Sequence, residues 1–370
     1  MIKIKILVIY PGRKGGGSIY SYEMTKALAD NKDLEISAVI SKQQKNLSKW
    51  ETLNIDLYKI DTYTNKFNFL LSTLDIIKFI KLKNFVKNIN PDIVYYPMTH
   101  LWTPTFNFLF KNTNKVITLH DPVKRYKENN PIHFMQKFVF KSNHKYILLS
   151  KKFKNNLNNY NIKDENILVL PHGIFDYYLN NSIQVKENEG RNILFFGKIK
   201  EYKGLDTLLK AFNIINDKYD DYKLIIAGDG NISDYKEYIN NENITVLNKW
   251  VTKDEIDILF KKSDLVVLPY KDASQSGVIP IAFAYGKPVL ATRVGGIPEQ
   301  IIDGENGILI EPNNENLLAE KIIELFKDKN YLNILGQRAK SYAQNEWDWH
   351  NLSNKLVKFF NEIIIEENGD

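Results

Sequence analysis

Short apolar segments with the length of buried strands alternate with amphipathic helical patterns along most of the chain. In the first half these strand-like segments are Lys3–Ile9, Leu34–Ile40, Ile93–Tyr96, Val116–Leu119, Tyr146–Leu149 and Ile167–Leu170. In the second half they are Ile193–Phe196, Lys223–Ala227, Ile244–Leu247, Leu265–Leu268, Val289–Ala291 and Gly307–Ile310. The helical patterns between them include Tyr20–Asp30, Leu205–Asn213 and Lys253–Lys261. Because strands separated by helices form parallel sheets covered on both faces, the sequence predicts an α/β protein with two doubly wound, Rossmann-like sheets.

The polar segment 177–190 separates the two sets of patterns and is predicted to be a linker. It follows a first domain predicted at 1–176 and precedes a second domain predicted at 191–349. A chain of 370 residues is long enough for two such cores. Because ligands of doubly wound sheets bind at the carboxyl ends of the strands, we expect two domains that face a central cleft.

Composition excludes several classes of protein. Apolar residues make up 44% and charged residues 25% of the chain, as in ordinary globular proteins. Cysteine does not occur, which excludes disulfides and thiolate metal sites and fits a reducing compartment. The sequence shows neither a cleavable signal nor an uncharged apolar run of about eighteen residues. We therefore expect a cytoplasmic protein that does not span a membrane.

The two halves of the chain differ in charge. Residues 1–185 hold 27 Lys and Arg against 14 Asp and Glu, whereas the remainder holds 23 against 30. A basic first half predicts an anionic partner, either a membrane surface or a phosphorylated acceptor, and a solvated lysine-rich surface explains it equally well. The basic amphipathic pattern of Phe67–Val86 fits a core-packed helix with a lysine face better than a membrane-surface helix. No nucleic-acid partner is indicated.

The most informative local motif is a polar loop, Ala273–Gly277, that runs directly into a short apolar helix. Pro280 suits the first turn of that helix and Gly286 suits its left-handed exit. Backbone N–H groups of the loop would then point at one spot in front of the sheet, where a phosphate binds. The residues of this predicted anion site are Ser274, Gln275, Ser276, Gly277 and Val278. An ordinary loop–helix–strand unit is the alternative.

Three glycines, Gly15, Gly16 and Gly17, follow the first strand and would allow the backbone to approach a ligand closely. The G-x-G-x-x-G spacing is absent, and the second strand ends at Ser41 without an acidic residue for a ribose. The motif therefore disfavours a nicotinamide dehydrogenase, and a flexible turn is the alternative interpretation.

Loops after the strands of the second half carry further candidate ligand-binding residues. They are Gly197, Lys198, Lys203, Gly228, Trp250 and Val251. The two lysines, separated by a short loop, would bracket a diphosphate with their ammonium groups. The tryptophan would provide an apolar wall for a base, and the backbone beside it would meet the edge of that base.

Histidines stand at the ends of three strands of the first half. They are His100, His120 and His172. A histidine at the mouth of a cleft can hydrogen-bond a sugar hydroxyl or stabilise charge near neutral pH. His120, with Asp121 placed to fix its tautomer, and the other two histidines are therefore candidate site residues. A structural histidine bonded to the backbone is the alternative, and this is our interpretation of His133 and His144.

Taken together, the motifs of the second half resemble the donor-binding domain of family-4 retaining glycosyltransferases of the GT-B fold, the glycosyl transferases group 1. The matching pieces are Gly197-Lys198, Lys203-Gly204, Ala227–Gly230, Ser263–Pro269, Gly286–Val289, Val294–Glu299 and Asp303–Gly307. The first half is less sharply similar to the acceptor domain of that family, through its glycine loop and Thr118–Asp121. The Ser-Gln-Ser-Gly form of the loop resembles a branch of the family found in bacterial polysaccharide synthesis.

The resemblance implies a role for each candidate, and it assigns the candidate ligand-binding residues of the second half to the site of the sugar-nucleotide donor. Lys198 and Lys203 would hold the donor diphosphate, with Lys198 in place of the arginine that the family usually carries. His120 would be a catalytic residue that contacts the transferred sugar, and His100 and His172 would lie on the acceptor side. The loop Gly15–Gly17 would lie near the donor phosphates and the acceptor. The C-terminal segment 350–370 would form a helix that packs back on the first domain.

One departure from the family concerns two glutamates, eight positions apart, where this chain has Ala273 and Ile281. In the family the first glutamate touches the sugar and the second bonds the ribose. Ser274, Gln275 or Ser276 would replace the sugar contact, and ribose recognition is left without an assigned residue.

The implied activity is transfer of a hexose-type sugar from a nucleoside diphosphate, UDP or GDP in the first place, to a hydroxyl of a saccharide or lipid-linked saccharide. Neither a metal nor a cofactor is expected, because no acidic cluster follows a strand. The expected location is the cytoplasm, including the inner face of the cell membrane. The alternatives are a catalytically inert nucleotide-sugar-binding subunit and a GT-B-like epimerase or phosphorylase. The donor base, the sugar, the acceptor, the linkage and the oligomeric state stay open.

Overall fold

The computed structural model describes residues 3–122, 139–141, 143–185 and 191–369. The chain divides into two compact units, Met1–His172 with Trp349–Asp370 and Gly173–Asp348. The segment predicted to be a linker, 177–190, lies within the second unit, and its residues 186–190 are outside the described part. Its beginning is held in place, because the backbone N–H of Asn180 donates a hydrogen bond of 3.0 Å to the carboxylate of buried Asp257.

Seven parallel strands form one sheet in the described part of the first unit. They are β1 (Ile4–Tyr10), β2 (Leu34–Ser41), β3 (Asp56–Ile60), β4 (Ile93–Tyr96), β5 (Asn114–Leu119), β6 (Lys145–Leu148) and β7 (Ile167–Val169). Their order is β3-β2-β1-β4-β5-β6-β7, so the chain changes its direction of winding between β1 and β4. Only β3 departs from the predicted strands, since it is an edge strand that exposes two polar side chains and has no continuous apolar run.

Six parallel strands form the sheet of the second unit in the described part of the chain. They are β8 (Arg191–Phe196), β9 (Tyr222–Ala227), β10 (Ile244–Leu247), β11 (Leu265–Leu268), β12 (Val289–Thr292) and β13 (Ile308–Ile310). Their order is β10-β9-β8-β11-β12-β13, which puts the change of winding between β8 and β11. Both sheets are therefore doubly wound, as the sequence predicts, and each has a switch point where such folds bind ligands.

Helices cover these sheets. In the first unit they are α1 (Gly16–Ala29), α2 (Leu47–Glu51), α3 (Lys66–Leu74), α4 (Ile76–Ile89), α5 (Thr103–Leu109) and α6 (Lys154–Asn158). In the second they are α7 (Leu205–Asn216), α8 (Lys236–Ile239), α9 (Lys253–Lys262), α10 (Val278–Ala284), α11 (Glu315–Lys327) and α12 (Lys329–Glu346). The last helix, α13 (Trp349–Gly369), belongs to the first unit, where the ring of Phe360 lies 5.9 Å from that of Tyr95. A search of the described helices found none with the length and apolar character needed to cross a bilayer.

The pattern at Phe67–Val86, which predicts one amphipathic helix, corresponds to α3 and α4. Asp75 separates them, and its carboxylate accepts a hydrogen bond of 3.3 Å from the backbone N–H of Lys78. An aspartate at this position caps the new helix, which explains why the chain breaks there. On α4, the side chains of Phe79 and Leu82 are buried in the core, as expected of a core-packed helix.

Candidate functional site

Two loops of the second unit meet where β8 and β11 end. β8 continues into residues 197–204 and β11 into residues 269–277, and the two strands pair in parallel. The backbone N–H of Lys271 donates a hydrogen bond of 2.7 Å to the carbonyl of Tyr202. The ammonium of Lys271 pairs with the carboxylate of Asp206 at 2.6 Å. These contacts hold the two predicted donor-binding loops side by side at the switch point of the sheet.

Lys203 is oriented by its neighbours at this point. Its ammonium donates a hydrogen bond of 3.0 Å to the hydroxyl of buried Tyr270 and lies 4.8 Å from the centre of that ring. A side-chain carbon placed on Gly197 would lie 3.0 Å from this ammonium and 3.7 Å from a methyl group of Val278. The structure therefore brings together Lys203, Gly197 and Val278, which come from separate sequence motifs.

Gln300 holds the predicted anion loop. Its Oε1 accepts a hydrogen bond of 2.8 Å from the backbone N–H of Ser276, and its Nε2 donates one of 3.0 Å to the Ser276 carbonyl. The Ser276 hydroxyl accepts a further bond of 3.2 Å from the backbone N–H of Val278 and lies 3.4 Å from the Tyr270 hydroxyl. Two of the N–H groups expected to face a phosphate are thus bonded within the protein.

Gln275 differs from its neighbours in this loop. Ser274 and Ser276 are buried, whereas Gln275 is half-buried. The Gln275 carboxamide oxygen is shielded from solvent and has no hydrogen-bond donor among the residues that the structure describes. Ala273 and Ile281, which stand where the resemblance suggests glutamates, are both buried and offer no polar side chain. Of the three candidates for the sugar contact, Gln275 therefore has the free acceptor.

The remaining predicted donor-site residues lie along the carboxyl edge of the same sheet. Gly228 follows β9 and packs so closely on Gly197 that a side-chain carbon would lie 2.0 Å from the Gly197 carbonyl oxygen. Lys198 is exposed and forms no ion pair with any described residue. Trp250 and Val251 follow β10, with 38% of Trp250 and 8% of Val251 exposed.

The glycine loop of the first unit lies where β1 passes into α1. Gly15 is the N-cap residue and Gly16 begins the helix. A side-chain carbon on Gly17 would lie 2.2 Å from the sulfur of Met98, which follows β4, so a substitution there would need the flexible Met98 side chain to move. A side-chain carbon on Gly16 would meet no described atom within 4 Å. The open face of the loop is therefore at Gly16, beside the switch point between β1 and β4.

His120 and His172 meet around Tyr20. The His120 ring centre lies 4.8 Å from that of Tyr20 and 6.1 Å from that of His172, and Trp349 lies 5.4 Å from Tyr20. Nε2 of His120 is 3.0 Å from the Pro97 carbonyl oxygen, so this nitrogen carries the proton and Nδ1 is left as an acceptor. Burial lowers the pKa of His120, which keeps the ring neutral near pH 7. Tyr20 and Trp349 have no local sequence signal, because only the folded unit brings them to this point.

His100 lies in a different aromatic cluster. Its Nε2 is 3.0 Å from the hydroxyl of Tyr63, and its Nδ1 accepts a hydrogen bond of 3.1 Å from the backbone N–H of Trp102. Burial, together with the charge of Arg13, lowers the pKa of His100 to about 3. Both ring nitrogens are therefore occupied within the unit, and in the described residues no ring contact joins His100 to the other two candidate histidines.

Of the two histidines interpreted as structural, the structure describes only His144. Nδ1 of buried His144 donates a hydrogen bond of 3.1 Å to the carbonyl of Val139, as expected of a structural histidine. His133 lies outside the described residues.

Two family models match adjacent parts of the chain. Glycosyltransferase Family 4 matches residues 14–175 and Glycosyl transferases group 1 matches residues 180–342. The first match includes the glycine loop and His120, and the second includes the cluster around Lys203. Together the two matches extend through both units.

Two proteins whose names describe them as glycosyltransferases are similar to this chain over part of their length. An uncharacterized glycosyltransferase of Methanocaldococcus jannaschii is 31% identical over 61% of this chain and 62% of its own length. The capsular polysaccharide biosynthesis glycosyltransferase CapM of Staphylococcus aureus is 28% identical over 51% of this chain and 52% of its own length. The matched regions thus cover about half of the length of one relative and about three fifths of the length of the other.

The crystal structure of Anabaena HepE in complex with UDP-glucose is similar in fold. Its TM-score is 0.73 at 18% identity, and the match covers 97% of this chain and 100% of that one. A likeness at this identity establishes the fold, and the two family models establish the family. This chain therefore belongs to the family-4 glycosyltransferases of the GT-B fold, the glycosyl transferases group 1.

Proposed function

We propose that this protein is a retaining hexosyltransferase that moves a sugar from a nucleoside diphosphate to a hydroxyl of a saccharide or lipid-linked saccharide. Membership of the family supports glycosyl transfer. The name of CapM supports a role in the synthesis of a bacterial surface polysaccharide. The UDP-glucose complex of HepE supports a nucleotide-sugar donor, with UDP ahead of GDP as the nucleotide.

The observation that carries this proposal is the position of the Lys203 ammonium at the end of β8. Tyr270 holds it from one side, and the backbone of Gly197 leaves room for a ligand on another. A diphosphate seated there would meet a fixed positive charge at the switch point of the sheet, where doubly wound folds bind nucleotides. Lys198 is exposed on the same loop and would supply a second charge from the solvent side.

The proposed transfer depends on stabilising the negative charge that develops on the leaving diphosphate. As the bond between sugar and distal phosphate breaks, the sugar becomes cation-like and negative charge develops on the leaving diphosphate. One preorganised donor aimed at such a developing charge is worth about 3–4 kcal/mol in a dry site. We assign this role to Lys203, with Lys198 in support, and expect transfer to need neither a metal nor a cofactor.

Retention of configuration is assigned to a front-face displacement. The new glycosidic bond forms on the face from which the diphosphate leaves, and an oxygen of that diphosphate accepts the proton of the acceptor hydroxyl. Among the residues that the structure describes, no carboxylate pairs with the Lys203 ammonium, whose hydrogen bond goes to Tyr270. Ala273 and Ile281 offer no carboxylate that could form a covalent intermediate. His120, neutral and with Nδ1 free to accept a hydrogen bond, would contact a hydroxyl of the transferred sugar.

Gln275 is assigned to the donor sugar in place of the missing glutamate. A shielded acceptor without a donor costs free energy in the unliganded protein, and a sugar hydroxyl would satisfy it once the side chain turns its oxygen toward the ligand. The carboxamide accepts and donates hydrogen bonds without bringing a negative charge near the diphosphate. This difference fits a site in which Lys203 is the lysine that the protein holds in a fixed orientation.

The acceptor is assigned to the first unit, at the carboxyl ends of its strands. The open backbone at Gly16 and the rings of His120 and His172 lie there. A lipid-linked acceptor would place the protein at the inner face of the cell membrane. With a free saccharide as the acceptor, the protein would act in the cytoplasm instead.

Thermal shift with UDP, GDP, ADP and CDP sugars tests donor binding, because a ligand of the native state raises its melting temperature. The expected result is a shift with one nucleotide class that Lys203→Ala loses. Lys210→Ala is the matched control, since it removes an exposed lysine from α7 in the same unit. Binding without transfer to any saccharide or lipid-linked acceptor would favour the inert sugar-nucleotide-binding alternative. No shift with any of the sugars would contradict the proposal.

A further inference from the structure

The corner formed by α3 and α4 exposes an unusual amount of aliphatic surface. Six large aliphatic side chains within eleven residues of sequence are between 53% and 70% exposed. They are Leu70, Leu71, Leu74, Ile76, Ile77 and Ile80. We call these six residues the aliphatic corner. Scattered exposed leucines are ordinary on a protein surface, but a run of neighbours marks an interaction site.

The aliphatic corner is not the core face of these helices. On α4 the inward side chains are Phe79, Leu82 and Val86, all buried. In a helix, residue 77 lies on the side opposite to residues 79, 82 and 86, and residues 76 and 80 lie on the flank between the two sides. All six side chains of the corner are more than half exposed, so they are available to a partner.

Lys78, the one lysine within the sequence range of the corner, is turned inward. The ammonium of Lys78 lies 4.5 Å from the ring centre of buried Trp102 and donates a hydrogen bond of 3.1 Å to the carbonyl of Asp61. Burial lowers the pKa of Lys78. This arrangement removes a charge from the aliphatic corner and leaves its surface apolar.

Exposed lysines continue from the corner along α4. Ile76, Ile80, Lys83 and Lys87 follow one another at helical spacings of four, three and four, so they form one exposed stripe along α4. Lys81 is also exposed. The single acidic residue of the two helices, Asp75, is engaged at the N-terminus of α4 through the backbone N–H of Lys78. The surface is thus apolar at one end and basic at the other.

We propose that the aliphatic corner docks on an anionic lipid bilayer, with the corner inserted at the headgroup boundary and Lys83 and Lys87 against the lipid phosphates. Helices that lie in a membrane interface combine an apolar face with lysines in this way. A protein partner is the weaker fit, because protein interfaces are enriched in aromatic residues and arginine and depleted in lysine. The corner and its stripe consist of leucine, isoleucine and lysine. The proposal concerns binding alone and does not depend on the transferase activity.

Flotation of the purified full chain with vesicles tests the proposal. Wild-type protein is expected to float with phosphatidylglycerol vesicles at low salt and not with vesicles of phosphatidylcholine alone. The variant Ile76→Gln/Ile77→Gln/Ile80→Gln should bind roughly 100-fold more weakly, because three aliphatic side chains no longer leave water. The variant Lys83→Gln/Lys87→Gln should lose roughly 30-fold at low salt. Glutamine is a good helix former, so both variants keep the helix.

The matched control is Phe108→Gln/Ile365→Gln, which removes two exposed apolar side chains of the same unit outside the corner, 77% and 70% exposed. It should float like wild type. Failure of wild type to bind anionic vesicles would overturn the proposal. So would equal flotation of the corner variant and the control. Light scattering that shows a wild-type dimer, lost in the corner variant and unaccompanied by vesicle binding, would assign the corner to a second copy of the chain instead.

Discussion

The ammonium of Lys203 donates a hydrogen bond to the hydroxyl of Tyr270 at 3.0 Å and also lies 4.8 Å from the centre of its ring. A buried tyrosine thus fixes the direction of a lysine that is otherwise free to rotate. The hydroxyl of Tyr270 is itself 3.4 Å from that of Ser276, so the charge is linked to the predicted anion loop. This relationship separates two functions, the supply of charge and its orientation, and mutation can test them separately.

Lys203→Ala is expected to reduce kcat by roughly 100-fold or more, because it removes a preorganised charge worth about 3 kcal/mol to the leaving diphosphate. Tyr270→Phe keeps the charge and the ring but removes the hydrogen bond, and should reduce kcat by roughly tenfold. Steady-state kinetics with the donor found by thermal shift measures both. An equal loss in the two variants would contradict the division of roles. Unchanged turnover in Lys203→Ala would remove Lys203 from the diphosphate site.

The strands of both sheets were predictable because each buried parallel strand is a continuous apolar run. The edge strand β3 was not predicted, since Asp56 and Lys59 interrupt its pattern and face solvent. The division of the predicted helix at Asp75 had a sequence signal, an aspartate within an apolar pattern, that a helix cap would explain. Local pattern therefore predicts the fold well wherever burial is complete.

The candidate site was only partly predictable. Glycines and lysines after strands could be recognised, because their positions follow from chain order alone. Tyr270 and Gln300 were not assigned a role. Their partners, Lys203 and Ser276, are 67 and 24 residues away in sequence, and such contacts form only when neighbouring strands bring loops together. Sequence thus indicates which loops form a site, and tertiary contacts decide how each side chain is held.

Gln275→Ala is expected to weaken binding of the nucleotide sugar without weakening binding of the free nucleotide. The carboxamide oxygen has no donor among the described residues, and a sugar hydroxyl is the proposed one. The loss of one such hydrogen bond corresponds to about 1 kcal/mol, or roughly fivefold in Kd. Calorimetric titration of the nucleotide diphosphate and of its sugar conjugate measures both affinities. Equal weakening of the two ligands would assign Gln275 to the phosphates instead.

Gln300→Ala is expected to destabilise the second unit by about 2–4 kcal/mol. It leaves the buried N–H and carbonyl of Ser276 without the partner that now bonds both. Gln337→Ala, an exposed substitution of the same kind on α12, is the control and should leave stability nearly unchanged. Urea unfolding measures the difference. Similar midpoints for the two variants would show that Gln300 does not hold the loop.

Stability should fall as the pH is lowered below about 6.5, the ordinary pKa of histidine in an unfolded chain. Folding lowers the pKa of His100 to about 3 and that of His144 to about 4, chiefly by burial. Between those values and 6.5 the unfolded chain binds more protons than the native one. Each histidine therefore contributes its full stability above pH 6.5 and loses it progressively toward acid. At pH 5 the loss is about 2 kcal/mol for each.

Urea unfolding at pH 7.5 and pH 5.0 tests this dependence. His100→Gln should be less stable at the higher pH, because it disturbs the bonds to Tyr63 and Trp102, and should also lose less on acidification. His350→Gln is the control, since 62% of that side chain is exposed. If the two variants show the same difference between the two pH values, the stability change has another source.

Two glycines with similar backbone angles should respond differently to alanine. Gly204 has φ 68° and Gly286 has φ 64°, so both are in the left-handed region, where a side chain costs about 1–2 kcal/mol. At Gly286 the nearest atom to a new carbon would be 3.6 Å away, which is ordinary contact. At Gly204 the carbonyl oxygen of Pro269 would be 1.9 Å away, and backbone must move to admit the carbon.

Gly286→Ala should therefore cost about 1 kcal/mol and leave donor binding intact. Gly204→Ala should cost more than about 3 kcal/mol, because backbone distortion is added to the same conformational penalty. It should also abolish donor binding, since residue 204 adjoins Lys203 and the displaced loop carries the ammonium away from Tyr270. Urea unfolding and thermal shift with the donor measure both effects. Equal destabilisation by the two substitutions would mean that the contact between Gly204 and Pro269 does not position the lysine.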